Sequence, residues 1–171
     1  MPLPTARSTP EHSLAELDSV GLISQLALAT ARIQELEGRL DEAKQQDSLT
    51  GLPNRNRLLD RAEQALALAS RRRHLVALLF VEVDRFKSIS QTLDFQEADE
   101  LWLQFSRRLA SPLRLGDTLA RLSTDQYAVL LPEVRDSMEP CRVAQGLLDS
   151  LNIPFRLGPR ELTLTASIGV S

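Results

Sequence analysis

The run Leu75–Val83, LVALLFVEV, does most to decide how this chain can fold. It is too short to cross a bilayer, which takes about 20 apolar residues, and it carries Glu82. Apolar residues at both odd and even positions describe a strand buried on both faces, because successive side chains point to opposite sides of a sheet. The run is therefore expected at the centre of a sheet, with helices against it. The flanking sequence supplies such helices. Residues 55–70 place Leu58, Leu59, Ala62, Ala65, Leu66 and Ala69 on one side. Residues 95–112 do the same with Leu101, Trp102, Phe105 and Leu109, with Trp102 read as core. A helix over 138–150 offers Val143, Leu147, Leu148 and the adjoining Leu151. A short helical turn is expected over 86–91.

The segments TLARLS and QYAVLLP read as two antiparallel strands joined through STDQ. The end of the chain, from Phe155, reads as a hairpin turning at Gly158 and Pro159. Gly51 and Pro53 mark a turn before the first of these helices, and Asn54 is placed to cap it. The order α, β, α, β, β, α, β predicts an α+β fold. Its sheet is mainly antiparallel and flanked by helices, in the ferredoxin-like split βαβ arrangement.

Upstream, Leu22, Leu26, Ala29, Ile33, Leu36, Leu40 and Ala43 alternate at spacings of four and three. A 3.5-residue period makes an apolar seam along a helix, and the reading taken here is a coiled coil that pairs two chains. A helix packed on its own domain is the alternative. Residues 1–12, rich in Pro, Ser and Thr, are expected to be disordered. The expected division is a disordered start (1–12), a signalling helix (13–46) and a folded domain (47–171).

A net charge of −3 gives no reason to expect nucleic-acid binding. The basic run Arg71, Arg72, Arg73 reads as a solvated loop. Cys141 is the only cysteine, so no internal disulfide forms, which suits a reducing compartment. His12 and His74 lie in no ligand pattern and are expected to face solvent. The N-terminus has no signal-peptide core. The expected location is cytoplasmic, with a membrane anchor possible only in a longer parent chain.

Three acids stand where chemistry could occur. Glu82 and Asp84 share a face at the end of the central strand, and Asp125 lies in the bend of the hairpin. Carboxylates from neighbouring strand ends suit a Mg²⁺–nucleotide site, since Mg²⁺ takes oxygen ligands from one or two carboxylates plus phosphates. The same residues also suit plain structural duty, with Asp84 capping a turn and Asp125 shaping one.

The segments DSLTGLPNR, LLFVEVDRFKSIS, RLGDTLARLSTDQYAVLLP and TLTASIGVS together resemble the GGDEF family, the diguanylate cyclases, over about 47–171. The resemblance implies a domain that, as an antiparallel pair, joins two GTP molecules into cyclic di-GMP with Mg²⁺. In that reaction the 3′-hydroxyl of one GTP attacks the α-phosphate of the other. A preceding helical stripe is typical of the family as a signalling coiled coil.

The family's first-strand pattern, Asp-x-Asp-x-Phe-Lys, reads here Glu82, Val83, Asp84, Arg85, Phe86, Lys87. The resemblance thus implies Glu82, the Val83 carbonyl and Asp125 as metal ligands, with Glu82 one methylene longer than the family's acid. It implies Lys87, Ser90 and Asp99 as nucleotide contacts, with Ser90 in place of an amide side chain. The family's Gly-His pair falls on Asp94 and Phe95, and its Gly-Asp pair on Ala98 and Asp99. The signature pentapeptide is Ser123, Thr124, Asp125, Gln126, Tyr127: both glycines are replaced, and Asp125 is left to carry any residual catalysis. If the bend needs positive φ, a Cβ at Ser123 or Thr124 is strained by about 1–3 kcal/mol.

Arg114 and Asp117 stand at the family's RxxD inhibitory site for cyclic di-GMP, and arginine suits a phosphodiester because it binds bidentately. An Arg–Asp pair that merely holds a turn is the alternative. The family continues beyond the segment matched by TLTASIGVS with a further helix and strand, so the resemblance implies a domain truncated at Ser171. The expectation is a regulatory GGDEF-like domain, weakly active or inactive, that relays a signal through its coiled coil and binds GTP or cyclic di-GMP. A phosphodiesterase domain or other effector is expected in a longer chain. An active diguanylate cyclase and a purely structural dimerisation domain are the alternatives.

Overall fold

The computed structural model describes residues 24–33 and 45–171. The chain divides into two compact units, Met1–Ala43 and Lys44–Ser171. The expected disordered start at 1–12 lies outside the described residues, as does most of the expected 22–43 stripe. In the first unit, residues 24–33 form helix α1, on which Leu26 and Ile33 are 68% and 55% exposed.

The second unit runs α2 (Arg55–Arg72), β1 (Leu75–Val83), α3 (Phe86–Ser90), α4 (Phe95–Ala110), β2 (Thr118–Arg121), β3 (Gln126–Val134), α5 (Glu139–Ser150), β4 (Phe155–Leu157), β5 (Arg160–Leu162) and β6 (Ala166–Val170). Four strands form one antiparallel sheet in the order β2-β3-β1-β6. This is the split βαβ arrangement, with β1 central as its apolar run requires. The hairpin at Gly158 (φ +57°) forms as expected, but β4 and β5 make a separate two-stranded sheet. The residues after Leu162 leave that hairpin and return as β6 to the main sheet.

The larger core lies on one face of the sheet. Leu79, Val81 and Val83 of β1 meet Leu101, Trp102, Phe105 and Leu109 of α4, together with Leu147 of α5. Asp94 opens α4 with a reciprocal capping box: its carboxylate accepts the Glu97 N–H at 2.8 Å, and the Glu97 carboxylate accepts the Asp94 N–H at 3.2 Å. Asn54 caps α2 by accepting the N–H groups of Asn56 and Arg57.

The other face is covered less than the sequence implies. Leu58 and Ala65 of α2 pack on Ala120, Ala128 and Leu130, that is, over β2 and β3. Phe80 of β1 is left 49% exposed, and Leu59 and Leu66 of α2 are 53% and 60% exposed rather than inward. The inward stripe is Leu58, Ala62, Ala65 and Ala69, whose alanines let the helix settle close to the strands. His74 is also not fully solvent-facing: it is half-buried, and its Nε2–H donates to the Pro132 carbonyl at 3.1 Å.

Candidate functional site at the end of the sheet

The end of β1, the bend between β2 and β3, and the start of β6 meet at one end of the sheet. The Val83 N–H donates to the Asp125 carbonyl at 3.0 Å, and the Asp84 N–H donates to the Thr165 carbonyl at 2.9 Å. Across the sheet, Glu82 pairs with Gln126 on one side and Ser167 on the other. Register thus brings Glu82, Val83 and Asp125 together. Asp84 is used differently from the turn cap considered above. Its carboxylate accepts the Ser167 hydroxyl at 2.8 Å, and hydrogen bonds from the Thr165 and Ser167 hydroxyls hold its carboxyl below the usual range. It ties β1 to β6.

The bend itself is closed by Leu122 and Ser123 N–H groups, which donate to the Gln126 carbonyl at 2.8 and 3.2 Å. Positive φ occurs, among the described non-glycine residues, only at Arg73 and Arg85. Ser123 and Thr124 therefore sit without left-handed strain, and the expected penalty of a Cβ there does not arise in this bend. The Ser123 hydroxyl donates to the Asp125 carboxylate at 2.9 Å, so one lone pair of that acid is already engaged.

Arg121 anchors the same bend and is only 6% exposed. Its Nε–H donates to the Ser123 carbonyl at 3.2 Å and its Nη2 to the Thr124 carbonyl at 3.3 Å. Its Nη1 binds Asp47 at 3.1 Å, linking the bend to the DSLTGLPNR opening. Burial works against the Asp47 carboxylate, but hydrogen bonds from the Thr50 hydroxyl, the Thr50 N–H and Arg121 outweigh it and hold the carboxyl below its ordinary range. Between these elements lies a cavity of about 360 Å³ lined by Asp47, Asn54, Arg55, Arg121 and Ser123. No local pattern marks Arg121 or its bond to Asp47, although Asp47 opens the segment DSLTGLPNR. Tyr127 is fully buried and shares a 3.2 Å hydrogen bond with Ser106. Burial pushes its hydroxyl pKa up.

Of the other residues nominated from the sequence, three lie on the helices that follow β1. Lys87 and Ser90 are on α3, and the Ser90 hydroxyl donates to the Lys87 carbonyl at 3.1 Å. Asp99 is exposed on α4. Asp94, at the position of a family glycine, is occupied with capping, and its partner Glu97 is bound by Arg160 at 3.1 Å. Arg114 and Asp117 lie apart from this site, in the loop before β2. Asp117 accepts the Arg114 backbone N–H at 3.0 Å, and its own N–H donates to the Arg114 carbonyl at 3.0 Å, so it closes the turn. The Arg114 side chain, 47% exposed, binds Glu139.

The family model described as "Diguanylate cyclase, GGDEF domain" matches residues 44–171. The chain belongs to the GGDEF family. It is 33% identical over 171 residues to the diguanylate cyclase TpbB of Pseudomonas aeruginosa, covering 96% of this chain and 39% of that protein. It is 35% identical to the bifunctional diguanylate cyclase/cyclic di-GMP phosphodiesterase MucR of the same species, over 73% of this chain and 18% of that one. The crystallised GGDEF domain of TpbB superposes with a TM-score of 0.70 at 34% identity, covering 73% of each chain. This chain thus spans about two fifths of TpbB and a smaller part of MucR.

A GGDEF domain of the cyclase type works with Mg²⁺, and the donor chemistry at this end suits that ion. Glu82, Asp125 and the Val83 carbonyl are all oxygen donors, and the Val83–Asp125 backbone bond holds their strand ends together. Among the described residues, no cluster of three or more His, Cys, Asp or Glu side chains is placed to hold a metal, so substrate phosphates would have to complete the shell. No helix of the described residues is long and apolar enough to cross a membrane.

Proposed function

We propose that this GGDEF domain is a regulatory member of cyclic di-GMP signalling, weak or inactive as a cyclase. The observation that carries the reading is the Ser123 hydroxyl bound to the Asp125 carboxylate, in a bend where Ser123 and Thr124 carry side chains in place of glycines. A phosphate approaching the main chain there meets those side chains. One acid of the metal set is partly spent, and the other, Glu82, is longer than the family's. Mg²⁺ held by Glu82, Asp125 and the Val83 carbonyl would neutralise charge on the phosphates in flight. Lys87 would bind a phosphate by its charge, and Asp99 would accept from a guanine edge. Ser90, short and bonded to its own helix, adds little to base recognition.

In this reading the 13–46 segment is a signalling helix that pairs two chains, and 47–171 belongs to the GGDEF domain. The exposed Leu26 and Ile33 of α1 support the pairing. GTP or cyclic di-GMP is the proposed ligand, with Arg114 as the contact for the latter. MucR, which combines both activities by name, supports a phosphodiesterase domain as the effector in a longer chain. The domain is placed in the cytoplasm, where GTP is available, whether or not its parent is membrane-anchored.

The test is product formation from GTP and Mg²⁺ by the purified protein. Little or no cyclic di-GMP is expected, and restoring the bend with Ser123→Gly, Thr124→Gly and Gln126→Glu together is expected to raise the rate at least about tenfold, equivalent to ~1.4 kcal/mol of barrier. Robust turnover by the unaltered chain, abolished by Asp125→Ala, would instead establish the active cyclase. That second reading is favoured by the meeting of Glu82 and Asp125 at one sheet end.

A further inference from the structure

Glu139 belongs to none of the motifs above, yet it controls how Arg114 is presented. It is the first residue of α5 and is 8% exposed. One carboxylate oxygen accepts Nη2 of Arg114, and the other accepts the Arg135 N–H at 2.6 Å. The side chain is therefore pinned from both ends. The Arg135 N–H, and after it the Arg114 guanidinium, hold its carboxyl below the usual range against the burial that opposes them, so it is charged at neutral pH.

A guanidinium binds a phosphodiester best through two parallel N–H bonds. Nη2 is the one nitrogen common to both of its bidentate edges, the side edge with Nε and the end edge with Nη1. A carboxylate on Nη2 puts negative charge where a phosphate oxygen would sit. Asp117 adds a second carboxylate, 3.8 Å from Nε. The Arg114 side chain is nonetheless 47% exposed, so the pair can be reached from solvent.

We infer that Glu139 is an internal competitor for Arg114, which a cyclic dinucleotide must displace to bind, and that it sets the affinity of this site. The inference rests on the reading of Arg114 as a cyclic di-GMP contact. It makes the loop before β2 and the start of α5 two parts of one closed contact. Ligand binding there exchanges an ion pair within the chain for one with the phosphodiester, and leaves the Glu139 carboxylate held by the Arg135 N–H alone.

The experiment is calorimetric titration of cyclic di-GMP into the 171-residue chain, Glu139→Gln and Arg114→Ala. The amide of Glu139→Gln keeps an oxygen for the Arg135 N–H and turns an uncharged NH2 toward Arg114, removing both the charge and the acceptor for Nη2, and a thermal melt of each variant checks that it is folded. Binding by Glu139→Gln about three- to fivefold tighter than by the unaltered chain is expected, the size of a partly exposed ion pair, with loss of binding in Arg114→Ala. Equal binding by Glu139→Gln and the unaltered chain, or weaker binding by Glu139→Gln as when a carboxylate reads a guanine edge, would overturn the competitor role while leaving the Arg114 site standing. No heat from any of the three proteins would overturn both.

Discussion

Arg121 holds the bend between β2 and β3 by donating to two of its carbonyls and to Asp47, all from a side chain 6% exposed. Replacing it leaves those acceptors without their donor and a half-buried carboxylate without its counter-charge. Arg121→Ala is expected to lower stability by about 2–3 kcal/mol, read from the urea midpoint at unchanged slope. The Asp47 carboxyl adds a pH dependence of definite sign. Its folded pKa lies below the ordinary 3.8, so its contribution is fully present above that value and is lost as pH falls through the folded pKa. Acid titration of the melting temperature should therefore drop more steeply below about pH 4 in the unaltered chain than in Asp47→Asn, which should already be less stable at neutral pH. Asp47 and Asp125 are legible in the sequence as residues of notable motifs, whereas their bonds to Arg121 and Ser123 are not.

Among the helices, α4 was readable because Leu101, Trp102, Phe105 and Leu109 mark one face unambiguously. The α2 sequence carries leucines on two faces, and only packing selects between them. Leu58 is 5% exposed against Ala120, Ala128 and Leu130, whereas Leu66 is 60% exposed. Leu58→Ala is expected to cost about 2–4 kcal/mol by leaving a cavity. Leu66→Ala should stay within about 0.5 kcal/mol, and equilibrium unfolding of the pair checks the assignment of faces. Asp94→Ala should cost about 1 kcal/mol through the lost cap of α4, with Glu97 and Arg160 left in place. The last strand depends on packing in a related way. Hydrophobic alternation continues from Leu162 to Ala166 without signalling that the chain changes sheets there, a change set by the pairing of Glu82 with Ser167 and Val83 with Ala166.

For the protein as an assembly, the proposed pairing through the N-terminal helix predicts a concentration-dependent equilibrium between one chain and two. Sedimentation velocity should show it, and Leu26→Asp with Ile33→Asp should leave single chains at every concentration while the melting of the GGDEF domain is unchanged. A species that stays single in the unaltered chain would remove the coiled coil from the account.

The sequence alone determined the family and the elements up to β4. Strand alternation and helical stripes are local, and the residue types at 82–87 and 123–127 sit in fixed order along the chain. Which charges neutralise which was settled only by tertiary structure. Arg121 and Asp47 are 74 residues apart and Arg114 and Glu139 are 25 apart, so no local period relates them. A charged side chain pairs with whatever the strand register and helix packing bring within reach. Here that contact left the bend clamped by Arg121 and the Arg114 guanidinium held by an acid of its own chain.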